Sequence, residues 1–144
     1  YHFDGHRKCG VSLSPTEAER LGGICPVCGK KLTMGVDHRV EQLADREEGF
    51  VKEDGRKYES LVPLPEVISA CMGFSTASKK VQGCFEQMLQ KLGTEFDILR
   101  NVPAEDIKSC AGERIAEGIE NVRTGHVKRI PGYDGEYGKI ELFD

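Results

Sequence analysis

HRKCG (His6 to Gly10) and CPVCG (Cys25 to Gly29) are two short segments of one design. Each offers two metal-ligating side chains with two residues between them, and each closes on a glycine. Fifteen residues separate the pairs. Zinc takes four ligands in a tetrahedron at roughly 2.0–2.3 Å, and a two-residue spacer lets one tight turn present two of them. Pro26 fixes the bend of the second turn, while Gly29 and Gly10 permit positive φ beside a metal. The pattern therefore predicts one ion held by His6, Cys9, Cys25 and Cys28. His38 is a rival fourth ligand, but on a helix it stands about 200° from Val36, away from the apolar stripe expected to face the ribbon. His2 lies in a Tyr-His-Phe alternation and reads as packed or surface-exposed.

Other readings of the pair are weaker. A redox C-x-x-C sits in a strand–helix setting that is missing around Cys25. A catalytic zinc keeps an open coordination position and a general base nearby, whereas four protein ligands close the site and predict a structural role. Residues 1–34 carry too little apolar surface to hold themselves, so the metal is expected to supply folding energy.

Working outward, Ser14-Pro15-Thr16-Glu17 signals a short helix between the knuckles, with Ser14 as cap and Glu17 reaching back to it. Gly22-Gly23 ends it. A second helix is expected from Val36 to Arg46, with Val36, Val40, Leu43 and Ala44 as its apolar stripe. Residues 47–60 are charged and aperiodic, a loop with a short hairpin at Asp54-Gly55.

The second half is helical. Pro63-Leu64-Pro65 opens a helix whose buried face is Leu64, Val67, Ile68, Cys71 and Met72, stopped by Gly73. A longer helix, about Ala77 to Leu92, carries Val81, Cys84, Phe85, Met88, Leu89 and Leu92 and ends at Gly93. Phe96, Ile98 and Leu99 form a short apolar segment. Pro103 starts a helix ending near Ser109, and a Cys110-Ala111-Gly112 turn leads to another from Glu113 to about Arg123. The tail from His126 reads as two short strands or an extended arm.

The expected fold is α+β, mainly α. It comprises a zinc-ribbon module at 1–46, a linker at 47–62, a helical domain at 63–126 with a helix-hairpin-helix-like segment, and a β-prone arm at 127–144. The opening at Tyr1, inside a patterned stretch, reads as a fragment of a longer protein.

Bulk properties narrow the function. With 38% hydrophobic and 31% charged residues the 144-residue chain is globular in type. It has no run of about 18 apolar residues to span a membrane, and no secretory signal pattern. Three of its six cysteines, Cys71, Cys84 and Cys110, sit singly on apolar stripes, where a thiol behaves as a small hydrophobe. A metal site plus three buried thiols fits the reducing cytoplasm better than three disulfides would. The net charge of −4 makes no global case for nucleic acid, so contacts to DNA phosphates would have to be local. The sequence offers three candidates. Ser75, Thr76, Ser78, Lys79 and Lys80 combine hydroxyls, helix-start amides and lysines. Gly112 and Arg114 lie at the helical hairpin, although Glu113 would repel phosphate. Lys128 and Arg129 belong, with Arg123 and His126, to a third basic cluster. Each doubles as an ordinary cap, turn or charged surface. No catalytic triad, phosphate loop or second His/Asp metal cluster can be read from the sequence.

YHFDGHRKCGVSLSP (1–15), CPVCGKKLTMGVDHRVEQLADRE (25–47) and PGYDGEYGKI (131–140) together resemble a particular region. It is the one that follows the metal-dependent PHP phosphoesterase domain in endonuclease Q-like proteins, and that also occurs in fusions with a UvrD-type helicase. The resemblance spans nearly the whole chain, most specifically in the ribbon and PGYDG segments. It implies DNA repair by an endonuclease that nicks on the 5′ side of deaminated bases such as uracil and hypoxanthine, or of abasic sites. In that family the catalytic metals belong to the PHP domain, whose His-x-His motif is absent here, so the resemblance implies no catalytic residue in this chain. It implies instead a zinc-binding and helical portion that helps hold damaged DNA, with the rest of its own polypeptide, nuclease or helicase, as the other partner. Some relatives have cysteine where this chain has His6, which supports His6 as the fourth ligand. A purely structural module with no nucleic-acid role is the competing reading.

Overall fold

The structure is a computed structural model describing residues 1–143. The chain divides into two units, the first formed by Tyr1–Lys57 with Arg129–Lys139, the second by Tyr58–Lys128 with the residues from Ile140 on.

In the first unit, β1 (Asp4–His6) and β2 (Val11–Leu13) form an antiparallel pair joined by one 3-10 turn, Arg7–Cys9. Gly5 faces Ser12 and His6 faces Val11. The helix α1 (Pro15–Arg20) starts where the sequence places it. The Glu17 amide donates to Ser14 Oγ at 3.4 Å, and the Ser14 amide donates to the Glu17 carboxylate at 2.8 Å, a complete capping box. The Gly5 and Thr33 backbones exchange hydrogen bonds of 2.9 and 2.8 Å, an isolated bridge that brings the segment after the second knuckle against β1. Only Ala18, Cys25 and Leu32 form a buried apolar cluster here.

The helix α2 (Val36–Leu43) departs from expectation in two ways. It ends before Arg46, because Ala44 takes an extended conformation (φ −65°, ψ 124°). Its apolar stripe also does not face the ribbon, for Val36, Val40 and Leu43 are 56%, 64% and 64% exposed. The turned-in residue is His38, whose Nδ1 lies 2.7 Å from Oδ2 of Asp4. Asp4 is fully buried, and its other oxygen accepts the Gly35 amide at 2.7 Å. A buried carboxylate without donors costs several kilocalories, more than a three-residue apolar stripe recovers at a marginal surface, so the polar side sets the helix's orientation. The Asp54-Gly55 segment is a turn (Gly55 amide to Lys52 carbonyl, 2.9 Å) without paired strands.

The second unit is built from α3 (Leu64–Met72), α4 (Lys79–Leu92), α5 (Glu95–Arg100), α6 (Ala104–Ala111) and α7 (Glu113–Thr124). Most of the apolar positions spaced three and four apart converge on one core, but Met72, expected on the buried face of α3, is 36% exposed. Leu64, Val67, Ile68, Val81, Met88, Ile98, Ile107 and Ile119 are fully buried there. Gly118 is required by close approach, since a Cβ would sit 2.7 Å from Cys71 Sγ. Arg123, grouped by sequence with a basic surface cluster, points inward. Its guanidinium donates to the carbonyls of Leu99 (3.0 Å), Ile98 (2.8 Å) and Val102 (2.7 Å), closing the end of α5. The chain leaves this unit through β3 (Lys128–Ile130) and returns through its partner β4 (Lys139–Glu141). No helix among the described residues is long and apolar enough to cross a membrane.

Candidate metal centre

His6 ends β1, and the 3-10 turn delivers Cys9 beside it before Gly10 reverses the chain at φ 64°. The second knuckle closes through the Gly29 amide on the Cys25 carbonyl (2.9 Å) and the Cys25 amide on the Lys30 carbonyl (2.7 Å). Gly29 supplies the left-handed residue, at φ 71°. The result brings one ligating atom from each of His6, Cys9, Cys25 and Cys28 within 4.8 Å of one another. His6 Nδ1 stands 3.2 Å from Cys28 Sγ. A tetrahedral ion with such donors needs them about 3.5–3.8 Å apart. The four side chains lie close enough together to hold a metal ion.

Electrostatics within the cluster are uneven. Burial, then the neighbouring Cys28 and Cys25, push the Cys9 thiol up to about 11. Burial opposes the Cys25 thiolate too, but the amides of Cys28 and Val27, the His6 ring and Cys28 outweigh it and bring that thiol down to about 6. Cys25 is the most enclosed of the three sulfurs. All six cysteines are free thiols. Burial also raises the Cys71 thiol to about 11 and shifts Cys84 upward, as expected of thiols serving as hydrophobes. His38, bound to Asp4, does not join the cluster.

The candidate DNA-contact residues fall in three places. Ser75, Thr76, Ser78, Lys79 and Lys80 gather before and at the start of α4. There Ser78 accepts the Val81 amide (3.3 Å), Ser75 accepts the Ala77 amide (3.3 Å), and the Lys80 ammonium lies 4.2 Å from the ring centroid of exposed Phe74. Gly112 joins α6 to α7 with φ 95°, ψ 162°. Glu113, beside it, pairs with Lys108 at 2.8 Å, and that contact holds its carboxyl below the ordinary 4.5. Arg114 stacks on Phe143, its Cζ 3.3 Å from the ring centroid, and approaches Glu117 at 3.5 Å. Lys128 pairs with Glu141 at 2.9 Å. Arg114 and Lys128, far apart in sequence, line one open cavity of about 750 Å³ with Asn121, His126 and Phe143. Arg129 is exposed in β3.

Comparison with known proteins gives this geometry a context. Residues 63–126 match the MJ0043 C-terminal domain family. The chain is 34% identical to protein MJ0043 of Methanocaldococcus jannaschii over 99% of its length, covering 18% of that protein. It is 30% identical to YqxK of Bacillus subtilis over 81% of its length, covering 27% of that one. Among solved structures, it superposes on the lesion-specific endonuclease Q of Pyrococcus furiosus with a TM-score of 0.84 and 32% identity, over 98% of this chain and 34% of that one. A crystal structure of endonuclease Q with a 27-mer duplex carrying an abasic lesion at the active site matches with a TM-score of 0.82 and 30% identity, over 100% of this chain and 36% of that one.

The chain is similar to endonuclease Q over nearly its whole length. It spans about a fifth to a third of the length of the relatives it matches. The matched span takes in residues of both units.

Three residues important to the site carry no local signal. Asp4 sits in β1, Thr33 in a segment bridged to Gly5, and Asp134 in the tail. Only the PGYDG turn, noted for its resemblance rather than for any chemistry, pointed toward the last of them.

Proposed function

We propose that this chain is the non-catalytic, zinc-binding and helical portion of a DNA-repair endonuclease of the endonuclease Q type, and that it contributes contacts to damaged or deaminated DNA. The likeness over essentially the entire chain to an endonuclease Q crystallised with a lesion-bearing duplex carries this reading. The ion is zinc, because three thiolates and an imidazole in a closed set suit a borderline-soft, tetrahedral cation. It organises the first unit and leaves no position for substrate. The exposed hydroxyls and lysines at the start of α4, with Phe74 beside them, are one DNA-facing group; Arg114 and Lys128 are a second. A PHP nuclease domain, or a UvrD-type helicase, is the partner elsewhere on the polypeptide.

Fluorescence anisotropy with abasic, uracil-containing and undamaged duplexes, at two salt concentrations, tests the DNA role. Salt-sensitive binding that weakens in Lys79→Ala/Lys80→Ala is the expected result. Unchanged binding in that variant removes the α4 site, and no binding by chain or parent enzyme removes the reading. A second reading, docking without DNA contact, draws on the exposed Val36, Val40 and Leu43 face and the net charge of −4.

A further inference from the structure

The 3-10 turn that spaces His6 from Cys9 has no side-chain cap of its own. Its leading amide, that of Arg7, instead donates to Asp134 Oδ2 at 2.6 Å, across 127 positions of sequence. The other oxygen of the same carboxylate accepts the Thr33 hydroxyl at 2.7 Å. Thr33 belongs to the segment that follows the second knuckle and is bridged to Gly5, the residue before His6. One carboxylate thus grips both halves of the metal centre.

The turn carrying Asp134 is shaped for this position. Tyr133 and Glu136 close it with reciprocal backbone bonds of 3.0 and 2.7 Å, and the amides of His2 and Phe3 donate to the Gly132 carbonyl at 3.0 Å each. Tyr133 covers Gly5 so closely that a Cβ there would lie 2.4 Å from its ring. Gly135, at φ 89°, passes beside the Arg7 guanidinium, where a Cβ would be 3.2 Å from Nη1. Asp134 itself holds φ 37°, a left-handed conformation that Asp and Asn tolerate better than other non-glycine residues. A backbone held in that region by contacts on every side marks a place where the surroundings determine the conformation.

We propose that Asp134 is a positioning residue for the metal centre, clamping the first knuckle at Arg7 and the segment after the second at Thr33, so that metal binding and seating of the 132–136 turn are thermodynamically linked. The inference rests on the metal reading of the four-ligand cluster. Groups outside the ligands that orient them commonly change metal affinity 10–100-fold when lost. Linkage also makes the effect reciprocal: whatever the turn adds to metal affinity, the metal adds to the seating of the turn.

The test is made on the whole chain, with zinc affinity read by competition against a chromophoric chelator. Asp134→Gly removes both contacts while leaving φ 37° unstrained, and is expected to weaken zinc binding about 10-fold or more. Asp134→Asn, which can still accept from Arg7 and meet the Thr33 hydroxyl, is expected to stay within about 3-fold of wild type. Thr33→Val severs one contact without changing side-chain shape and should fall between them, giving a second measure if the glycine variant does not fold. Hydrogen exchange of the 131–138 segment should rise when the chelator strips the metal from wild type. Cobalt-substituted protein should show an altered thiolate-to-metal absorption in Asp134→Gly and not in Asp134→Asn. Equal zinc affinity in wild type, Asp134→Gly and Thr33→Val, or exchange at 131–138 indifferent to the metal, overturns the linkage and leaves the metal reading standing. A wild-type chain that takes up no metal at all overturns both.

Discussion

The two units solve the same problem with different means. The helical unit buries fourteen apolar residues in one cluster, whereas the first unit buries three. At about 25 cal/mol per Å² of apolar surface, the helical core carries its own stability and the other cannot. What the first unit has instead is polar and specific. A buried Asp4 is satisfied by His38 and Gly35, a reciprocal backbone bridge joins Gly5 and Thr33, Asp134 reaches two segments, and four candidate ligands converge. Such a structure is defined by a few bonds, and its largest single dependence is on the convergence of the candidate ligands. A greasy core fails by degrees.

Metal removal should break the symmetry between the units most severely. Structural zinc in small domains contributes about 10–16 kcal/mol of apparent free energy. Chelation, or Cys25→Ser, is therefore expected to abolish hydrogen-exchange protection across residues 2–35 while α3–α7 keep their helical circular dichroism. If both units unfold together, the contrast is wrong. The next effect belongs to the other side. Ile119→Ala should cost about 2–5 kcal/mol in denaturant unfolding of the helical unit, with the zinc count still at one per chain. Smaller again is His38→Ala, which deprives buried Asp4 of a donor. It is expected to lower stability of the first unit by about 1–3 kcal/mol and to leave the metal in place, while His6→Ala loses it. Loss of zinc in the His38 variant would reassign the fourth ligand. Acid should bring the mildest change of all at Asp134, at lower pH than the loss of metal that ligand protonation causes. The Thr33 hydroxyl, then the Arg7 amide, hold the Asp134 carboxyl below its ordinary 3.8. Its contribution is then complete above about pH 4 and fades as pH falls through the lower folded value. Repeating an acid unfolding series in Asp134→Asn should flatten that portion of the curve.

Much of this was legible in the chain itself. Two knuckles of matching spacing lie together as their pattern predicts, and the helical stripes from Leu64 to Val122 face one core because a period near 3.6 is a local property of sequence. The misread element was α2. Its stripe of Val36, Val40 and Leu43 is as periodic as the others, but a buried carboxylate elsewhere on the chain turns the helix the other way. Arg123 was misplaced for a similar reason, since nothing near it in sequence announces that the end of α5 needs donors. Asp134 and Thr33 stand a hundred positions apart, and period and propensity carry no information at that range. Local grammar gives elements and ligands. The ties between distant segments have to be seen.

One such tie has a consequence during synthesis. Residues 129–139 complete a unit whose other members end at Lys57, so the ribosome must make the entire helical segment in between before the missing piece emerges. At ordinary elongation rates that interval is on the order of seconds. Until then the nascent knuckles have an uncapped Arg7 amide and an uncovered Gly5, and truncations that spare every ligand but stop short of Asp134 would preserve that immature condition indefinitely.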